Sequence, residues 1–384
     1  MKYYLIAGEA SGDLHGSNLM RGLYSRDAEA DIRFRGGDMM TLAASECAPA
    51  GSDSVLVHHY REGAVMGLSD VLGKAGKLLA NLNDCKKDIL AWKPDVVILI
   101  DYPGFNFKIA EFAHKHGFRV FYYIAPKTWA SRESRNSKLK AYIDRLFIVF
   151  PFEIPYFEKK GIPFTYKGNP LIDAVDSHVF KRPCEGKYVA LLPGSRKGEI
   201  SRMMPVCMEV ADRLGCKVVI AGAPARSASD YECYMAGRKN VSLMFGRTYD
   251  ILKYSEAAIV NSGTASLEAA LMDVPQVVCW STSPLTYFVA KNLLKVGKHI
   301  EFISLANLIV GRGVFKELIQ RDFNPDSVTA EIKRLMRDAD YRGSMLADYA
   351  DVRSALGGSG ASSAVADAMV DYLLTLKSTS SLTP

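Results

Sequence analysis

No stretch of the 384 residues supplies the roughly 18–20 consecutive apolar residues that a membrane-crossing helix needs, so any meeting with a bilayer is expected from its surface. Cysteine is sparse and unpatterned: seven residues, an odd number, with no Cys-x-x-Cys, which argues against a zinc knuckle or a disulfide framework and for a reducing compartment. Blocks of lysine and arginine are missing too. The 48 basic and 42 acidic residues leave a net +6 spread along the chain, which excludes a nucleic-acid stripe and allows only a mild attraction to anions. Neither the Gly-x-Gly-x-x-Gly of a dinucleotide fold nor the Lys-Ser/Thr ending of a P-loop stands at the turns that matter. Low-complexity segments and short-period repeats are absent, and Met1 leads straight into Lys2-Tyr-Tyr-Leu-Ile-Ala7 without the features of a signal peptide, so the expected location is cytoplasmic.

What is present is 48% hydrophobic against 23% charged residues, enough for two cores, because chains beyond roughly 250–300 residues divide instead of enlarging one. Short apolar runs alternate with longer amphipathic segments as far as about residue 280, the pattern of βα units around a parallel sheet. Strands are predicted near 2–7, 96–101, 119–125 and 145–150, then near 188–192, 217–221, 257–260 and 276–280. The uniformly apolar Val96-Val-Ile-Leu-Ile100 and Leu146-Phe-Ile-Val-Phe150 belong mid-sheet. The fold class is therefore α/β, with two Rossmann-like doubly wound lobes and a mostly helical C-terminal segment. The lobes are placed at 1–167 and 184–325, with a linker and hinge at 168–183, helices over 326–377 that either return to the N-terminal lobe or are exchanged in a dimer, and a disordered tail at 378–384.

In open α/β sheets ligands bind beyond the carboxyl ends of the strands. Ala7-Gly-Glu-Ala-Ser-Gly-Asp13 puts Glu9, Ser11 and two glycines at such a turn, with Ser11 or Asp13 as a helix cap the plainer alternative. Leu192-Pro-Gly-Ser-Arg196 offers Gly194, Ser195 and the Arg196 guanidinium as a diphosphate cradle. Val260-Asn-Ser-Gly-Thr-Ala-Ser-Leu-Glu268 offers Ser262, Gly263 and Thr264 to phosphate and Glu268 to ribose hydroxyls, against the alternative of a simple helix cap. Asp101, after the most apolar strand and ahead of Tyr102-Pro-Gly-Phe-Asn106, is either a general base or a helix cap. Trp129, in Ile124-Ala-Pro-Lys-Thr-Trp-Ala-Ser-Arg132, is either a ligand contact or core. Asp338-Ala-Asp340 sits among charged helical residues, not after a strand, and no metal site is expected there. Finally, a helix over 68–91 places Leu68, Val71, Leu72, Ala75, Leu78, Leu79 and Leu82 on one face with Lys74 and Lys77 off it, which suits a core-facing stripe or an interfacial helix.

As an ordered set these turns resemble the lipid-A-disaccharide synthase family of GT-B glycosyltransferases. The resemblance rests on 7–13, Ala64-Val-Met-Gly67, Ile100-Asp-Tyr-Pro-Gly-Phe-Asn106, 192–196, Ser262-Gly-Thr-Ala265 with Leu267-Glu268, and Ser304-Leu-Ala-Asn-Leu308, together spanning about residues 1–325. It implies inverting, metal-independent and cofactor-free transfer of 2,3-diacylglucosamine from UDP to 2,3-diacylglucosamine 1-phosphate. The product is a β-1,6 disaccharide 1-phosphate, with UDP released.

By motif position the resemblance makes Asp101 the base, Glu9 a second carboxylate and Arg196 the stabiliser of the departing diphosphate. Gly194, Ser195, Ser262, Gly263 and Thr264 would hold that diphosphate, and Glu268 the ribose. Ser11, Asn106 and Asn307 become substrate contacts, and Val65, Met66, Leu68, Val71 and Leu72 acyl-chain or inner-membrane contacts. A homodimer with exchanged C-terminal segments is a further expectation; a nucleic-acid partner is not. Two positions depart from the family: Ser131 replaces the second Trp of Trp-Ala-Trp, and Asn169 replaces the His of Gly-His-Pro. The layout also suits a UDP-sugar epimerase of related fold, or a noncatalytic nucleotide-sugar or lipid-binding protein.

Overall fold

The computed structural model describes residues 1–63, 71–282 and 302–380. The chain divides into two compact units, Met1–Ala174 with the segment from Gly358 onward, and Val175–Gly357.

In the first unit, β1 (Lys2–Ala7), β2 (Asp31–Gly36), β3 (Val55–His59), β4 (Val96–Ile100), β5 (Arg119–Tyr123), β6 (Arg145–Ile148) and β7 (Phe164–Tyr166) form one parallel sheet in the order β3-β2-β1-β4-β5-β6-β7. The helices α1 (Ala10–Arg26), α2 (Asp38–Cys47), α3 (Val71–Trp92), α4 (Pro103–Lys115), α5 (Asn136–Tyr142), α6 (Glu153–Lys160) and α7 (Pro170–Asp176) connect and cover it. Every residue of β4 is buried, as the lack of polar side chains there requires. On one face Tyr4, Ile6, Val97, Leu99 and Tyr122 pack with Leu82, Cys85 and Ile89 of α3 and with Phe105 and Ile109 of α4.

The second unit repeats the design. β8 (Tyr188–Leu192), β9 (Lys217–Gly222), β10 (Val241–Phe245), β11 (Ala257–Asn261), β12 (Gln276–Trp280) and β13 (Glu317–Ile319) run in the order β10-β9-β8-β11-β12-β13, also parallel. Its helices are α8 (Lys197–Leu214), α9 (Ser229–Met235), α10 (Thr248–Lys253), α11 (Thr264–Leu271), α12 (Leu305–Val310), α13 (Pro325–Arg337) and α14 (Ala339–Leu356). The last helix, α15 (Ala361–Ser380), belongs to the first unit, where it packs on α1 so closely that a Cβ on Gly22 would lie 2.8 Å from that of Ala366. Asp173 caps it, accepting from the backbone N–H of Gly360 at 2.6 Å and of Ser362 at 2.8 Å.

Two boundaries differ from expectation. Within 168–183, residues 170–176 form α7 with Leu171, Ile172, Ala174 and Val175 buried, so apolar packing overrides the turn-forming composition. α15 continues through Ser380, into the expected tail, because Ser and Thr are tolerated on a helix already anchored by its first turns. Of the acyl-chain candidates, Val65, Met66 and Leu68 lie outside the described residues. Val71 and Leu72 open α3, and their side chains are outside the description. Among the described residues no helix is long and apolar enough to cross a membrane, and the seven cysteines are free thiols.

Candidate active site

Each sheet reverses its strand order once, between β1 and β4 in the first unit and between β8 and β11 in the second, and such switch points open a crevice at the strand ends. The sequence candidates fall at these two places. Ala7 pairs with Ile100, so the turn carrying Glu9 and Ser11 adjoins the turn carrying Asp101. Leu192 pairs with Val260, which sets Gly194, Ser195 and Arg196 beside Ser262, Gly263 and Thr264.

In the first unit, Asp101 and Tyr102 both adopt left-handed backbone, with φ of 43° and 46°. Two consecutive non-glycine residues in that region store strain, which persists only where neighbours enforce it and gathers at functional sites. Here the Asp101 carbonyl accepts from the Tyr122 hydroxyl at 2.6 Å and from Asn106 Nδ2 at 2.7 Å, while the Asp101 N–H donates to the Tyr123 carbonyl at 3.1 Å. The backbone is clamped and the carboxylate is carried at the strand end. Glycine at position 8 is a steric requirement, because a Cβ there would lie 2.2 Å from the Tyr102 ring. Glu9 is exposed at the N-cap of α1, and its charge, after burial, pushes the Tyr102 hydroxyl pKa up, which sets Glu9 electrostatically beside the Asp101-Tyr102 turn.

Three candidates have other tasks. Asn106 is fully buried and its amide supports the turn through the Ile100 and Asp101 carbonyls, so it positions Asp101 instead of touching a substrate. Asp13 does not cap its own helix: its carboxylate accepts from the N–H groups of Gly37, Met39 and Met40 and caps α2. Ser11 is exposed in the first turn of α1 and remains available to a ligand. Trp129 is half-buried, donating Nε1–H to Glu153 at 3.0 Å and meeting Phe152 edge-on. Burial raises the Glu153 carboxyl to about 7 despite hydrogen bonds from Phe150 N, Trp129 and Val149 N.

In the second unit, Gly194 has φ of 105°, and a Cβ there would meet Glu199 Oε2 at 2.6 Å and Asn261 Nδ2 at 2.7 Å. The β8 and β11 turns are therefore in contact. The N–H groups of Ser195 and Arg196 donate to Glu199 Oε2 at 3.0 and 3.1 Å, and Arg196 Nη1 donates to Oε1 at 2.9 Å. The carboxylate of the helix's own first turn thus satisfies the N–H groups that a phosphate would use at this helix N-terminus. The Arg196 side chain is 77% exposed, so its guanidinium can turn to a ligand. Thr264 is exposed at the start of α11, with Ser262 and Gly263 half-buried before it. One turn on, burial lifts the Glu268 carboxyl to about 7, opposed by a hydrogen bond from the Tyr249 hydroxyl at 3.1 Å.

Asn307 is a correction. It is 1% exposed, its Nδ2 donates to the Phe315 carbonyl and Glu317, and its Oδ1 accepts from the N–H groups of Val314 and Phe315. It ties α12 to the segment before β13 and has no free group for a substrate. Asp338 caps α14 through the Tyr341 N–H, and among the described residues no group of three or more potential ligands could hold a metal ion. Sequence reasoning passed over Glu199 and Tyr249. The spacing of Glu199 three residues after Arg196 is a capping-box signal, whereas Tyr249 meets Glu268 only through the fold.

A sequence profile of the family described as "Lipid-A-disaccharide synthetase" matches residues 3–364. The lipid-A-disaccharide synthase of Trichlorobacter lovleyi is 36% identical over 371 residues, 93% of this chain and 94% of that protein. That of Geobacter metallireducens is 36% identical over 383 residues, 96% of each chain. Among solved structures, the Methanocaldococcus jannaschii UDP-GlcNAc 2-epimerase in complex with UDP-GlcNAc and UDP superposes with a TM-score of 0.64 at 14% identity, covering 98% of this chain and 100% of that one. At that identity the likeness concerns the fold alone.

Proposed function

Because the chain belongs to the lipid-A-disaccharide synthase family, we propose that it transfers 2,3-diacylglucosamine from UDP to the 6-hydroxyl of 2,3-diacylglucosamine 1-phosphate. It is a UDP-sugar glycosyltransferase of lipid A biosynthesis with a GT-B-like fold of two Rossmann-like lobes. The observation that carries the residue assignment is the convergence of both motif sets on switch points: Glu9 with the strained Asp101-Tyr102 turn in one unit, Arg196 with Ser262–Thr264 in the other.

In this reading Asp101 accepts the proton of the acceptor hydroxyl as its oxygen attacks the anomeric carbon. The bond to UDP breaks in the same displacement and the configuration inverts. Arg196 leaves Glu199 to meet the charge growing on the leaving diphosphate, and the Ser195 and Thr264 backbone N–H groups hold its oxygens. Glu268 accepts from the ribose hydroxyls. Glu9 stabilises the positive charge that develops at the sugar ring.

Docking at the inner membrane is supported by Leu78 and Leu79 of α3, 43% and 54% exposed and next to the exposed Lys77. A homodimer exchanging the segment after residue 357 would reuse the α1–α15 packing between copies, and sizing of protein lacking that segment tests it. The central assay incubates the protein with UDP-2,3-diacylglucosamine, with and without 2,3-diacylglucosamine 1-phosphate and with EDTA, and follows products by mass spectrometry. Acceptor-dependent disaccharide and UDP support the reading. Isomerised sugar nucleotide without acceptor would favour the epimerase, and UDP binding with no product a noncatalytic binder.

A further inference from the structure

Strand β2 carries two arginines, Arg33 and Arg35, which by their two-residue spacing lie on one face of the sheet, and both bond to side chains of α3. Arg33 is matched by a carboxylate: Nη2 lies 2.8 Å from Asp88 Oδ1, and Nε donates to Oδ2 at 3.0 Å. Arg35, one layer nearer the carboxyl edge, is 6% exposed, and among the described residues no carboxylate lies within ion-pair distance of it. Its guanidinium donates to the neutral Oδ1 of Asn81, two helical turns before Asp88. A buried cation with only an amide partner is an unbalanced arrangement that a bound anion would correct.

The surroundings are polar and on the ligand side of the sheet. Arg35 pairs in register with Ile6, the residue before the turn that carries Glu9, and with His58 of β3. Asn81 Nδ2 lies 3.2 Å from His58 Nε2, and His58 Nδ1 lies 3.1 Å from the carboxylate of Glu62. Burial and the Arg35 charge hold the His58 pKa below its ordinary value, against the opposing pull of Glu62 and Asp84. His58 thus bridges Asn81 and Glu62, and its Nε2 accepts from the Asn81 amide when its Nδ1–H donates to Glu62. Lys77, exposed one turn before Asn81, adds a second cation on the same helix face.

We propose that Arg35, with Asn81 and Lys77, forms a subsite for a phosphate monoester, filled during transfer by the 1-phosphate of the acceptor lipid. The subsite rests on the transferase reading above for the identity of its occupant. A dianion there gives Arg35 the counter-charge that Asp88 gives Arg33. The guanidinium fork offers parallel N–H donors to two phosphate oxygens, which neither the acceptor's sugar hydroxyls nor its acyl chains would use. The arrangement makes Arg35 a specificity residue for phosphorylated over unphosphorylated acceptor, separate from the base at Asp101.

The test compares wild-type protein with Arg35→Met and Arg35→Lys, using 2,3-diacylglucosamine 1-phosphate and its dephosphorylated counterpart in micelles of fixed composition. Turnover and calorimetric binding are both measured. Wild type is expected to favour the phosphorylated acceptor by at least about tenfold, and Arg35→Met to reduce that preference to about twofold by raising the acceptor KM while leaving the donor KM unchanged; Arg35→Lys keeps part of it. Millimolar inorganic phosphate should compete with the phosphorylated acceptor in wild type and not in Arg35→Met. If phosphate binds at Arg35 but the two acceptors bind alike, the site takes free phosphate and the assignment to the acceptor is overturned.

A merely structural Arg35 would lower the melting temperature and affect both acceptors equally, an outcome that also overturns the proposal. Should Arg35→Met fail to fold, Asn81→Leu, which removes the amide beside the guanidinium, is expected to reduce the same preference. Should wild type form no disaccharide, the transferase reading fails on that observation alone. The binding comparison still decides whether Arg35 recognises the phosphorylated lipid.

Discussion

Glu268 offers a test of whether burial has tuned the nucleotide site. Its carboxyl is raised from 4.5 to about 7 by desolvation, against the hydrogen bond from Tyr249. Between those pH values the folded protein keeps a proton that the unfolded chain has released, so stability falls as pH rises from about 4.5 to about 7 and levels off above. A rise from 4.5 to about 7 corresponds to about 3 kcal/mol of stability that is present below about pH 4.5 and gone above about pH 7. Glu268→Gln has no such proton to lose, so the difference in unfolding free energy between wild type and variant should change by about that amount across the interval. Tyr249→Phe removes the bond that favours the ionised form and should move the wild-type transition to higher pH. If ribose hydroxyls donate to the ionised carboxylate, UDP binding should strengthen with pH up to about 7, with protons released on binding, and lose that dependence in Glu268→Gln. Denaturant titrations at half-unit pH steps and calorimetry in buffers of different ionisation heat make these measurements. Parallel stability curves for wild type and Glu268→Gln would refute the argument, because they would mean that the buried site imposes no penalty on the charge.

Asp101→Asn keeps the size of the side chain and should lower turnover by about 10²–10⁴-fold with UDP affinity little changed, as steady-state kinetics and calorimetry would reveal; unchanged turnover removes Asp101 from the role of base. Gly8→Ala drives a methyl into the Tyr102 ring and should destabilise the protein by about 1–3 kcal/mol while displacing the Asp101 turn, to be read from thermal unfolding together with kcat. Asp173→Ala deletes the cap of α15 and should cost about 1–2 kcal/mol, with hydrogen exchange rising first at Gly360 and Ser362.

The central strands were readable because physics leaves them little choice. β4, β8, β11 and β12 are buried along almost their whole length, and only continuous apolar runs fill such positions. The strands that escaped notice are β2 and the marginal β3, β7, β10 and β13. β2 alternates charge and apolarity as Asp31-Ile-Arg-Phe-Arg-Gly36, since its arginines meet α3, and β7 and β13 are three residues long. The strand-end turns were legible for the same reason as the central strands: each follows a recognisable run. What could not be read was where a polar side chain bonds across the fold. Asp13 reads as a cap of its own helix and Asn307, by the resemblance, as a substrate contact, yet the first caps a helix more than twenty positions away and the second braces a neighbouring segment. Spacing along the chain records local bonds and is silent on these.

The Asn169 departure shows how a side chain that looks like a lost function can conserve the bonding. Asn169 is buried; its Nδ2 donates to the Val149 carbonyl at 2.9 Å and its Oδ1 accepts from the Leu171 N–H at 2.9 Å. One donor and one acceptor is also the inventory of a neutral imidazole, so the amide meets the needs that the family's histidine would meet. The same backbone neighbourhood engages Glu153, whose Oε2 accepts from the N–H groups of Val149 and Phe150, which fixes the end of β6 from both sides. Asn169→His should therefore change stability by less than about 1 kcal/mol and leave acceptor preference intact, since the residue meets backbone and not ligand. Asn169→Asp keeps the acceptor, loses the donor to Val149 and brings a second carboxylate into the neighbourhood of Glu153. It should cost about 2–4 kcal/mol at pH 8 and less at pH 5, where the new carboxyl can be protonated and donate again. Thermal unfolding at the two pH values distinguishes the cases, and equal losses for His and Asp would show that shape, not hydrogen bonding, selects the residue at this position.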